Sequence, residues 1–161
     1  MRNTLLQRLQ CQPAALDHLL YNFSEEEVRS RPLPDKWNIF ENLSHLARYH
    51  EIFRERIILI TAGGNPLFEA YKADNDDGFY EWQKKPYKQL LEDFYRDRNA
   101  LNDQLASLSQ NEILSTGRHP VYGSMNVEGW TEFFLLHEAH HLFTIFKLAA
   151  KLQPGRVMGL Y

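Results

Sequence analysis

The chain has 161 residues, 18 Lys+Arg and 21 Asp+Glu, for a formal net charge of −3, a length that suits one domain over residues 1–161. Its 43% hydrophobic, 13% aromatic and 24% charged residues exclude a disordered chain. The mild acidity argues against a nucleic-acid partner, which a basic domain or stripe would signal.

The first segment spaces Leu5, Leu9, Gln12, Leu16, Leu19 and Phe23 on one helical face, with Pro13 as a kink or restart. Gln7, Arg8 and Gln10 interrupt any signal-peptide-like apolar run. The single cysteine, Cys11, excludes an intrachain disulfide and a Cys-rich metal site, which fits a reducing, cytoplasmic setting. Ser24-Glu25-Glu26-Glu27 is a capping-box pattern that starts a short helical turn. Asn38 and Glu41 repeat that signal more weakly and open a helix over Asn38–Ala62, striped by Ile39, Leu43, Leu46, His50, Phe53, Ile57 and Ile60. Gly63-Gly64 stops it. The longest stretch without Asp, Glu, Lys or Arg is twelve residues, Ile57 to Phe68, too short for the roughly 20 apolar residues of a membrane span.

Asn65–Lys85 is a long connection. Its Asp74–Asp77 run resembles half a calcium loop, but Lys85 stands where the twelfth-position glutamate belongs, so it reads as a solvated loop. Pro86 opens a third helix at its first position, striped by Tyr87, Leu91, Phe94, Arg98, Leu101, Leu105 and Leu108. A second long connection, Ser109–Met125, extends briefly at Arg118–Tyr122, and Asn126 caps a helix over Val127–Leu152. The expected fold is all-α, an antiparallel four-helix bundle with long connecting loops.

In the last helix His137 and His141 sit one turn apart, in the middle of the stripe formed by Trp130, Phe134 and Leu148. Imidazoles at i and i+4 can share one divalent ion; the plainer alternative is a pair of core histidines satisfied by neighbouring carbonyls or water. His137-Glu138-Ala139-His140-His141 also matches H-E-x-x-H, but the residues after His141 contain no His, Asp or Glu. A metalloprotease is therefore not favoured, and a third ligand must come from upstream. His45 and His50 both lie on the wide apolar arc of the second helix, and periodicity favours His50.

Trp37-Asn38-Ile39-Phe40-Glu41-Asn42-Leu43-Ser44-His45-Leu46, His119-Pro120-Val121-Tyr122-Gly123 and Gly129-Trp130 through His141-Leu142 together resemble the DinB/YfiT-like metal-binding four-helix bundles. The resemblance implies His45, His137 and His141 as ligands of a divalent metal, commonly nickel or zinc, with iron or manganese as alternatives. His140 departs from the pattern and can substitute or act beside the ligands, and Ile145 replaces the family's usual glutamine. Family members of known activity are bacillithiol S-transferases and mycothiol-dependent isomerases, which implies an enzyme acting on a small-molecule thiol, with a hydrolase less favoured. Two alternatives are a non-catalytic metal-binding or stress-response bundle and a metal-free dimeric interaction protein. A homodimer is expected from the resemblance and because Leu135, Leu136, Leu142, Phe143 and Phe146 lie off the stripe of the last helix.

The catalytic candidates are Arg98, Glu138 and Tyr49. Inward-facing Arg98 either pairs with Glu41, Glu51 or Asp93, or binds a carboxylate of the thiol cosubstrate, for which Arg118 is the exposed alternative. Glu138 is a solvated helix residue or an acceptor for a ligand imidazole. Tyr49 is core, or its hydroxyl reaches the metal site, and His119 is a loop residue or faces the cavity. A reference imidazole pKa near 6.5 implies metal loss below about pH 6.

Overall fold

The computed structural model of the chain describes residues 1–155. The expectations for the first segment hold: α1 (Asn3–Cys11) and α2 (Ala15–Leu19) are joined by a 3-10 turn at Gln12–Ala14 around Pro13. A capping box of Ser24 with Glu27 opens α3 (Glu25–Arg29), and one of Asn38 with Glu41 opens α4 (Ile39–Thr61). Gly63 and Gly64, at φ 91° and 83°, end α4 in the left-handed region that suits glycine. Pro86 is the N-cap of α6 (Tyr87–Ala106) rather than its first residue, and Asn126 caps α8 (Val127–Leu152) by accepting from the Gly129 N–H.

The long connections carry more structure than expected. Asp76 caps α5 (Asp77–Gln83), and its carboxylate accepts from Arg48 and Tyr71, so it anchors a helix start, while Asp74, Asn75 and Asp77 are exposed as expected of a solvated run. Ser109 and Glu112 form a third capping box, at the start of α7 (Gln110–Leu114). The expected extended stretch is one arm of a hairpin, β1 (Thr116–His119) against β2 (Gly123–Asn126). Gly117 passes so close to Ile60 and Phe68 that a Cβ would meet them at 2.7 and 2.9 Å. The crossover after α4 is pinned to this hairpin by Phe68 N–H to Arg118 C=O and Arg118 N–H to Pro66 C=O.

Two apolar layers fix the chain directions. Leu5, Leu9, Phe53, Ile57, Leu101, Leu105, Trp130 and Phe134 share one layer; Leu16, Leu20, Phe40, Leu43, Leu90, Phe94, Ile145 and Leu148 share the other. The α1–α2 unit and α8 therefore run one way, and α4 and α6 the other. Consecutive bundle helices α4 and α6 are parallel, which is why residues 62–86 must cross the length of the bundle. Among the described residues no helix is long and apolar enough to cross a membrane.

Candidate metal centre

His45 reaches inward from α4, and His137 and His141 from α8, where the two helices pack. One ring nitrogen from each of the three lies within 4.8 Å of the others, and Nε2 of His45 is 3.0 Å from Nε2 of His137. Two nitrogens bound tetrahedrally to one zinc-like ion stand about 3.4 Å apart, so the cluster needs only small movements to hold one. The Nδ1 atoms of His45 and His137 are buried with no hydrogen-bond partner. The Nε2 atoms of His45 and His137 face each other, and neutral rings protonated at Nδ1 turn their Nε2 lone pairs on one point, which fits a cation.

Electrostatics keeps the rings neutral, the form that ligates. Burial, then the charge of His137, pulls His45 down to about 3. Burial and His140 bring His137 to about 4, and burial with His45 and His137 brings His141 to about 2. Orientation comes from neighbours. Nδ1–H of His141 donates to Asn42 Oδ1 (2.8 Å), leaving its Nε2 for an ion. Trp37 and Tyr71 pack on the His45 ring at 5.2 and 5.5 Å between centroids, and Tyr49 on His137 at 4.4 Å. Three neutral imidazoles suit zinc, nickel, copper or ferrous iron rather than magnesium or calcium.

The cluster borders an open cavity of about 770 Å³ lined by His45, Tyr49, Arg56, Tyr71, His119, Phe133, His137 and His140, among others. Tyr49 is buried against the site, and its hydroxyl accepts from Arg56 (3.3 Å). His119 faces this cavity, held by the Val121 and Tyr122 N–H groups on its Nδ1. His140 lines the same space from an exposed position.

Three expectations need correction. His50, favoured by periodicity, is not in the cluster: its Nε2 accepts from Arg98, and burial followed by that guanidinium lowers it to about 4. The centre of the α4 stripe is packed against Phe94, whereas the flank carrying His45 meets the cavity. Arg98 is 2% exposed and pairs with Glu138, not with Glu41, Glu51 or Asp93; it also donates to the Leu9 carbonyl and does not line the cavity. Glu138 is neither solvated nor a partner of a ligand imidazole. Burial alone would raise its pKa, but His50, Arg98 and Gln12 together hold it low. The H-E-x-x-H match is therefore incidental, since its glutamate points into the core. Arg118 is exposed and bonds to the Asn65 carbonyl.

The sequence reading missed Asn42 and Arg56. A signal for Arg56 was present: His45, Tyr49, Ile52 and Arg56 form a second 4,3,4 stripe beside the main one. Tyr71 reaches the site from the crossover, which no local pattern could announce.

A family model described as the DinB superfamily matches residues 8–145. The chain is 23% identical to YuaE of Bacillus subtilis (strain 168), a protein itself uncharacterised, over a 147-residue alignment covering 83% of this chain and 90% of that one. It superimposes on YfiT from Bacillus subtilis, described as a probable metal-dependent hydrolase with an unusual four-helix bundle topology, with a TM-score of 0.76 at 18% identity. That match covers 99% of this chain and 88% of YfiT.

Proposed function

The chain belongs to the DinB superfamily, and from that premise we propose that it is a divalent-metal-dependent enzyme, with His45, His137 and His141 as ligands and a small-molecule thiol as cosubstrate in an S-transfer reaction. The observation that carries the reading is the convergence of three neutral imidazoles, of which His45 and His137 line an open cavity, an arrangement that leaves coordination positions free. A zinc or nickel ion held there would lower the pKa of a nucleophile delivered to it.

The chain's own groups favour a thiol over water as that nucleophile. Glu132 is the one carboxylate among the cavity-lining residues, and Arg8 holds it at 2.7 and 2.9 Å. Glu138 is committed to Arg98. Among the described residues lining the cavity a hydrolytic water thus finds no carboxylate outside an ion pair, whereas a thiol, with a reference pKa near 8.5, ionises with little help. Hydrolysis, the activity suggested for YfiT, is the second reading and would need His140 as base, since the Val121 and Tyr122 N–H groups occupy the lone pair of His119. Tyr49 and Tyr71 orient the imidazoles and exclude water from one side of them.

A homodimer in the cytoplasm belongs to the same proposal. Leu135 and Leu142 are buried within the chain, which leaves Leu136 and Phe143 exposed on α8 for a second copy. The test of the activity is thiol conjugation by zinc- or nickel-loaded protein, using bacillithiol, mycothiol, glutathione and cysteine against 1-chloro-2,4-dinitrobenzene, beside hydrolysis of p-nitrophenyl acetate. Acceleration of one thiol supports S-transfer. Acceleration of ester cleavage alone favours hydrolysis, and acceleration of neither favours a non-catalytic metal-binding bundle.

A further inference from the structure

Beside the three imidazoles the cavity holds a buried cation that forms no ion pair among the described residues, although Glu69 and Asp76 line the adjoining space. Arg56 is 8% exposed and lines both this cavity and the adjoining one under the crossover. Its guanidinium donates to the Tyr49 hydroxyl at 3.3 Å and the Glu69 carbonyl at 2.9 Å, and among the described residues it forms no ion pair. The comparison within the same fold is Arg98, 2% exposed and paired with Glu138. Buried guanidinium groups are normally paired, because desolvation is otherwise uncompensated. The rings of Tyr49, Phe68 and Trp130 stand 5.3 to 6.0 Å from Arg56 Cζ and offset part of that cost. Two acceptors use two of five N–H donors, so three stay available.

The guanidinium stands beside the site, bonded to the hydroxyl of Tyr49, whose ring packs on His137 at 4.4 Å between centroids. Arg56 lies eleven residues beyond His45 on the same face of α4, and its side chain leans back toward the helix N-terminus. It lines the same cavity as His119 and His137. Glu132, the carboxylate that shares the cavity, is already held by Arg8.

We propose that Arg56 anchors a carboxylate of the substrate, so that the site takes small organic carboxylates with an apolar or aromatic body whose reacting end lies at His45, His137 and His141. A planar fork matches a carboxylate in bidentate geometry. A single guanidinium neutralises one negative charge and leaves a phosphate dianion half compensated among Tyr71, Met125 and Phe133. The inference rests on reading the histidine cluster as an active site, and the experiment separates the two claims.

Calorimetry with 3-phenylpropionate, its uncharged analogue 3-phenylpropanamide and phenyl phosphate, on metal-free and zinc-loaded protein, tests it. The carboxylate binds about tenfold or more tightly than the amide, as for a charge-assisted hydrogen bond, and does so in the metal-free protein, where coordination to zinc cannot contribute. Arg56→Met abolishes that preference while zinc affinity stays within about threefold; Arg56→Lys retains part of it. Equal binding of carboxylate and amide, no binding of either, a preference that survives Arg56→Met, or tighter binding of phenyl phosphate overturns the proposal. If zinc fails to bind the wild-type protein while the carboxylate preference persists, the anchor stands and the metal reading falls. If Arg56→Met does not fold by circular dichroism, the wild-type comparison and Arg56→Lys decide.

Discussion

Glu138→Gln removes one charge from a pair that is sealed from solvent. Glu138 is 0% and Arg98 2% exposed, and among the described residues Arg98 has no other carboxylate within ion-pair distance. The variant leaves Arg98 with the Leu9 carbonyl, His50 Nε2 and a neutral amide oxygen. Breaking a buried pair by neutralising one partner typically costs about 3–5 kcal/mol, and retention of an acceptor oxygen puts this case near the lower end. With a urea m-value of about 2 kcal/mol/M, a loss of about 3 kcal/mol lowers the unfolding midpoint by about 1.5 M. The double variant Arg98→Met/Glu138→Leu removes both charges and recovers most of that loss, because no buried charge then lacks a partner. Urea titrations of the metal-free proteins followed by circular dichroism read both effects. The folded Glu138→Gln protein binds zinc within about threefold of wild type, since Glu138 does not touch a ligand imidazole. A midpoint unchanged from wild type would refute the view that this pair clamps α6 to α8. Strong loss of zinc with no loss of stability would instead restore Glu138 to the site.

Asn42→Leu removes the acceptor that sets the His141 tautomer; zinc affinity falls about 10- to 100-fold while the protein remains folded, and competition with a chromogenic chelator measures it. The three site imidazoles have folded pKa values of about 2 to 4, below the unfolded 6.5. The unfolded chain therefore takes up protons first, and stability fully present above pH 6.5 is lost as pH falls toward the folded values, by up to about 1.4 kcal/mol per pH unit for each group. Acid consequently releases metal together with unfolding, between about pH 5 and 4, rather than near pH 6 from an intact fold; ellipticity and free zinc followed in one titration show coincident transitions if this holds. Light scattering at micromolar concentration gives twice the 19.0 kDa chain mass if Leu136 and Phe143 meet a second copy, and a monomer if they do not.

The bundle was legible because its signals are local. The 4,3 spacing and the caps at Ser24, Asn38 and Asn126 each specify geometry within a few residues. The Ser109–Glu112 box carried the same information, and α7 was readable from it. The parallel run of α4 and α6 was not, since chain direction depends on where a long crossover lands. At the site, two ligands follow from helical spacing on α8. The third did not follow from spacing, which favoured His50; the family resemblance pointed to His45. A stripe says which face is inward but not which inward position is packed shut and which borders a cavity. The same limit misplaced Arg98, whose partner lies on a helix far away in sequence. Arg56 was visible as a stripe member, yet its significance lies in its forming no ion pair among the described residues, which only the assembled fold reveals.

Metal content of protein purified without an affinity tag, by mass spectrometry of the eluted ions, bears on the centre itself. About one divalent transition-metal ion per chain is expected for the wild type. His45→Ala, His137→Ala and His141→Ala each lose it, while His50→Ala retains it if folded. A wild-type protein that neither retains nor takes up such an ion, or three single variants that all keep it, would contradict the three-histidine centre.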